Sequence, residues 1–117
     1  MPSSPIILIE IRFNLPGLHN FNRAAGITGY LSNQHRHTFN FVIKKVVNHT
    51  DRDVEFIAFS AEIKDYLQDS FVLLPDKSYN FEDKSCEDLA LLLFEKFDLF
   101  SCWVYEDNEY GGGIECY

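Results

Sequence analysis

The sequence predicts an α+β domain, an antiparallel sheet with two helices laid on one of its faces. Three observations carry that expectation. Runs rich in β-branched and aromatic residues stand near both ends of the chain, two stretches in the second half repeat apolar residues at helical spacing, and a short polar segment joins two strand-like runs.

Ile6 to Phe13 is the first strand, and its latter part sets Ile9, Ile11 and Phe13 opposite Glu10 and Arg12, as a half-buried strand requires. From Asn14 to Gln34 the chain carries Pro16, Gly17, Gly26 and Gly29, which reads as a long loop. A loop of roughly twenty residues is uncommon in a compact domain and points to function. Thr38 to Val47 reads as the second strand, residues 48–53 as a hairpin turn, and Val54 to Phe59 as a third strand paired antiparallel by economy of connection. Ser60 then caps a helix through Gln68, with Ile63, Tyr66 and Leu67 on one stripe.

After a less regular stretch from Asp69 to Lys84 comes the clearest helix, Cys86 to Phe97. Ser85 is its natural N-cap, Glu87 and Asp88 sit where the helix dipole favours them, and Leu89, Leu92, Leu93 and Phe97 mark the buried face. Leu99 to Tyr105 is a further strand, Tyr110-Gly111-Gly112-Gly113 a turn, and Ile114 to Tyr117 a terminal strand. Phe39, Phe41, Phe56, Phe59, Phe94 and Phe97 are expected in the core.

The 117 residues make one domain, 1–117, and 46% hydrophobic residues with eleven Phe give it enough apolar surface to fold. A net charge of -8 opposes binding to nucleic acid or anionic lipid. No apolar run is long enough to span a membrane, and no signal-like segment opens the chain. Three cysteines, Cys86, Cys102 and Cys116, form no C-x-x-C pair, and the odd count argues against a disulfide framework. These features predict a soluble, cytoplasmic protein. The cysteines are expected to behave as small buried hydrophobes, with Cys86 at a helix start where a thiol pKa can be depressed.

His35-Arg36-His37 stands at the mouth of the second strand, so the two imidazoles point to one face and can converge on one metal ion or one anion. A polar strand end is an equal reading. His19, upstream, could close a three-nitrogen site of the kind that holds zinc. Arg23 and Arg36 flank this region and could bind a phosphate or carboxylate of a ligand, or form surface salt bridges.

The run Phe13-Asn14-Leu15-Pro16-Gly17-Leu18-His19, followed by His35-Arg36-His37-Thr38-Phe39-Asn40-Phe41-Val42, resembles the opening of the 6-pyruvoyl-tetrahydropterin synthase and 6-carboxytetrahydropterin synthase family, with its Phe-x-x-x-His and His-Gly-His-x-Tyr-x-Val segments. Three further pieces keep the family's order. Phe59-Ser60-Ala61-Glu62-Ile63-Lys64 and Lys84-Ser85-Cys86-Glu87-Asp88-Leu89-Ala90 are similar to its two helix starts, and Val104-Tyr105-Glu106 to the strand whose glutamate holds the pterin ring. The resemblance implies the tunnelling fold, an antiparallel four-stranded sheet with two helices on one face, assembled into a homo-oligomer with the pocket at the subunit interface. It implies zinc as cofactor, His19, His35 and His37 as its ligands, and Glu106 gripping an amidine-like edge of a pterin, deazaguanine or purine-like molecule.

The chain departs from the family at the acid–base positions. Leu31, four residues before His35, stands where the family has its catalytic cysteine, and no histidine follows His49. Arg36 replaces a glycine, and the Phe13 to His19 spacing is two residues longer than the family's. Two functions are therefore expected: a zinc-dependent lyase of the pterin-synthase type, or a non-catalytic oligomeric protein that sequesters or senses a nucleotide-like ligand. The resemblance names no catalytic residue that this chain keeps.

Overall fold

The computed structural model describes residues 5–117; the short lead, residues 1–4, lies outside them. The chain runs β1 (Ile7–His19), a 3-10 segment (Gly26–Ser32), β2 (His35–Val47), α1 (Phe56–Ser70), β3 (Val72–Leu73), β4 (Tyr79–Asn80), α2 (Cys86–Phe97), β5 (Ser101–Glu106) and β6 (Tyr110–Glu115). The strands form one six-stranded sheet in the order β3-β4-β1-β2-β5-β6. The α+β class is as expected, but the sheet is not four-stranded and antiparallel: β4 joins β1 in parallel at Gly17 and Leu18, and the two-residue strands β3 and β4 form an added edge. Strands that short carry no periodic signal.

β1 and β2 pair antiparallel along their whole length, from Ile7 opposite Val47 to His19 opposite His35. Ile11, Phe13 and Leu15 of β1 face Ile43, Phe41 and Phe39 of β2, all buried on one side, with the Phe13 and Phe41 rings stacked at 4.8 Å. Cys102 and Val104 of β5 continue this face. Phe59, Ile63 and Leu67 of α1 and Leu89, Leu93 and Phe97 of α2 close the core over it. The expected long loop is shorter than its composition suggests, because β1 continues through Pro16 and Gly17. From Ile7 to Pro16 the outer edge of β1 has no strand partner among the described residues, so the N–H that proline lacks need not cost a ladder bond. Gly17 is required by packing: a Cβ there would stand 2.5 Å from Phe81 Cε2 and 2.8 Å from Phe39 Cδ2.

The third expected strand is instead the start of α1, which pairs with no strand. Glu55, not Ser60, caps it by accepting the N–H of Ala58 at 2.9 Å. Phe59 joins Ile63 and Leu67 at helical spacing, while Phe56 is 56% exposed and is no core residue; Phe94 is only partly buried against the core. α2 is as expected, with Ser85 and Asp88 forming a reciprocal capping box. The glycine run is strand rather than turn. The turn is Asp107 to Glu109, with Asp107 and Asn108 left-handed, and Gly111 and Gly113 give the room in which the Tyr105 and Trp103 rings lie over β6.

Candidate functional site

The alternation that buries the core also builds the site. His19 continues the inward series Ile11, Phe13, Leu15, Gly17 of β1, and His35 and His37 precede Phe39 on the same face of β2. Glu106 ends the inward series Cys102, Val104 of β5 and lies opposite Phe39. Four polar side chains therefore stand at one end of an apolar stripe. Arg36, at the intervening position, turns to the other face, where it donates to Ser78 Oγ at 2.9 Å and pairs with Asp76 at 2.7 Å. The N–H of Ser78 and the Arg36 guanidinium hold the Asp76 carboxyl below its ordinary value.

Each imidazole is oriented through Nδ1. His19 donates from Nδ1 to the carbonyl of Lys84 at 2.8 Å, and His35 to the carbonyl of Asn33 at 3.0 Å. His37 Nδ1 meets Asp107 Oδ2 at 2.7 Å. Carbonyls and carboxylates only accept, so the proton sits on Nδ1 and Nε2 is left for another partner. The three histidines offer ligand atoms within 4.8 Å of one another. Nε2 of His37 is buried and makes no hydrogen bond, while Glu106 Oε2 stands 3.4 Å away in an ion-pair contact. Three imidazole nitrogens with their second nitrogens tied back, one of them buried and unpartnered, match the donor set and outer shell of a zinc site. The residues present fit that ion.

His19 Nε2 lies 2.9 Å from Glu106 Oε1. Burial pulls the His19 pKa down, but the hydrogen bonds to Glu106 and the Lys84 carbonyl, with the Glu106 charge, outweigh it and leave the pKa raised. Glu106 is lowered, chiefly by its hydrogen bond to His19 against the opposing effect of burial. Asp107 is lowered by the hydrogen bonds from His37 and the Thr38 N–H. Cys86 is buried as expected, and its place at a helix start does not depress its thiol: burial, then the charges of Glu106 and Glu87, push it up to about 12. Cys86 and Cys102 are buried free thiols, but Cys116 is exposed.

A cavity of about 710 Å³ opens over the histidines, and Glu106, Arg23, Leu31 and Cys86 also line it. Arg36 is not among its lining residues. Sequence reasoning missed Asp107. The signal was present in Asp107-Asn108, two residue types that tolerate the left-handed turn conformation, placed directly after a strand end. It also missed the buried Asn40, whose Oδ1 accepts the N–H of Asn108 at 2.9 Å and whose amide donates to Asn14 at 2.7 Å, fixing that turn.

No helix among the described residues is long and apolar enough to cross a membrane. No protein-family model and no curated protein matches the sequence. Among solved structures the chain is similar to the 6-pyruvoyl tetrahydropterin synthase of Caenorhabditis elegans, at a TM-score of 0.65 over 100% of both chains and 15% identity. The likeness is one of fold.

Proposed function

We propose that this is a zinc-binding, pterin-synthase-like protein whose cavity receives a pterin, deazaguanine or purine-like small molecule. The observation that carries the reading is the convergence of His19, His35 and His37, each tied back through Nδ1, in the lining of that cavity. When bound, zinc supplies Lewis acidity toward a ligand oxygen or a water. The chain's own contribution is to seat the ligand: the Glu106 carboxylate accepts paired hydrogen bonds from a ring N–H and an exocyclic amine, and Arg23 supplies a cationic group in the lining. Arg36 is engaged by Asp76 and Ser78 and has no part in this seat. The outer edge of β1 from Ile7 to Pro16, without a strand partner among the described residues, and the terminal position of β6 in the sheet support assembly into a homo-oligomer that completes the pocket.

The test is metal analysis of freshly purified protein, with one zinc per chain expected and loss of it in His35→Ala and in His37→Ala. Protein that carries no zinc and takes up none overturns the reading.

A specific observation favours a second, non-catalytic reading. Leu31 lines the cavity where a nucleophile would be needed, and the Cys86 thiol, also on the wall, is pushed up to about 12. Calorimetric binding of dihydroneopterin triphosphate without turnover supports a binding protein, and conversion eliminates it.

A further inference from the structure

We infer that Glu106 is the fourth protein donor of the metal centre, its carboxylate closing the His19, His35, His37 set when no organic ligand fills the cavity. The inference rests on the zinc reading above and extends it to a residue otherwise assigned only to the organic ligand.

Placement comes first. Glu106 shares the inward face of the sheet with all three histidines, and its position opposite Phe39 sets it beside His37, two residues away on β2. Distances follow. Its Oε1 is 2.9 Å from His19 Nε2 and its Oε2 is 3.4 Å from His37 Nε2. Around a tetrahedral zinc with bonds of about 2.0 to 2.2 Å, neighbouring donors stand about 3.4 Å apart. Oε2 is thus at donor spacing from His37, and Oε1 is held at hydrogen-bond distance from His19, so the carboxylate reaches two of the three imidazoles.

The third argument is chemical. His37 Nδ1 is held by Asp107, and its Nε2 is buried without a hydrogen bond, 3.4 Å from Glu106 Oε2. A shared cation would give that unpartnered nitrogen and the carboxylate oxygen a common partner. Three neutral imidazoles and one carboxylate would also leave a bound divalent ion with a single net positive charge, a smaller burden for a half-buried site. Four protein donors leave no open position, so an incoming ring edge that takes the carboxylate also frees one coordination site.

Chelator competition on the zinc-loaded full chain tests this beside Glu106→Gln. The expected result is at least a tenfold weaker zinc affinity in the variant, with altered visible bands when cobalt replaces zinc. Equal affinity and an unchanged cobalt spectrum overturn the inference while leaving the three-histidine site standing. Failure of the wild-type chain to bind zinc overturns both. A crystal structure of zinc-loaded wild-type protein decides the matter without relying on the variant's folding. A Glu106 oxygen within about 2.2 Å of the ion supports the inference, and a water in that position with Glu106 withdrawn overturns it.

Discussion

Nδ1 of His37 meets Asp107 Oδ2 at 2.7 Å, while Oδ1 of the same carboxylate accepts the N–H of Thr38 at 2.9 Å. One side chain from the β5–β6 turn therefore fixes both the ring of His37 and the backbone beside it. The N–H of Asp107 donates in turn to the Thr38 carbonyl at 2.8 Å, so the turn and the strand are tied in both directions.

Asp107→Ala is expected to weaken zinc binding by roughly 10- to 100-fold, the usual cost of removing an outer-shell partner of a metal-ligating histidine. Chelator competition reads the affinity, and nitrogen NMR of the His37 ring reads the loss of its fixed tautomer. An unchanged tautomer and affinity would remove Asp107 from the site.

Gly17→Ala is expected to destabilise the fold by about 1 to 3 kcal/mol, the range for overpacking a filled core. The added methyl would meet Phe81 and Phe39, both fully buried and therefore unable to swing aside. Thermal and urea unfolding measure the loss.

At pH 8 iodoacetamide is expected to label Cys116 first and to leave Cys86 and Cys102 largely unmodified in the folded protein. Cys116 is exposed, whereas burial holds the other two thiols protonated, with pKa values pushed up to about 12. Mass spectrometry of the digested protein checks it, and prompt modification of Cys86 would contradict the burial of its thiol.

The strand face that carries the histidines was legible because period two holds from Ile9 through Phe13 and from His35 through Phe41. α2 was legible because Ser85, its acidic first turn and its leucines agree. Val54 to Phe59 misleads because β-branched and aromatic residues suit a strand by type; only the spacing of Phe59, Ile63 and Leu67 reveals the helix, and its cap is a glutamate. Pro16-Gly17 suggests a break, yet an unpartnered edge accepts the proline and two phenylalanines demand the glycine. In the site, the tie from His37 to Asp107 spans a sequence separation of 70, which no local pattern encodes. The inward face of Glu106 follows from its pairing with Phe39, which is knowable only once β5 has been placed beside β2.

The β1–β2 register has a consequence for how such a chain can change. Core and donors occupy alternate positions of the same strands, so one inserted residue between Phe13 and His19 would turn His19 to the solvent side, whereas two leave it facing inward. The spacing of six between Phe13 and His19 makes three full pleats. β1 can therefore change its reach only in steps of two residues, a constraint of parity that holds core and histidine on one face.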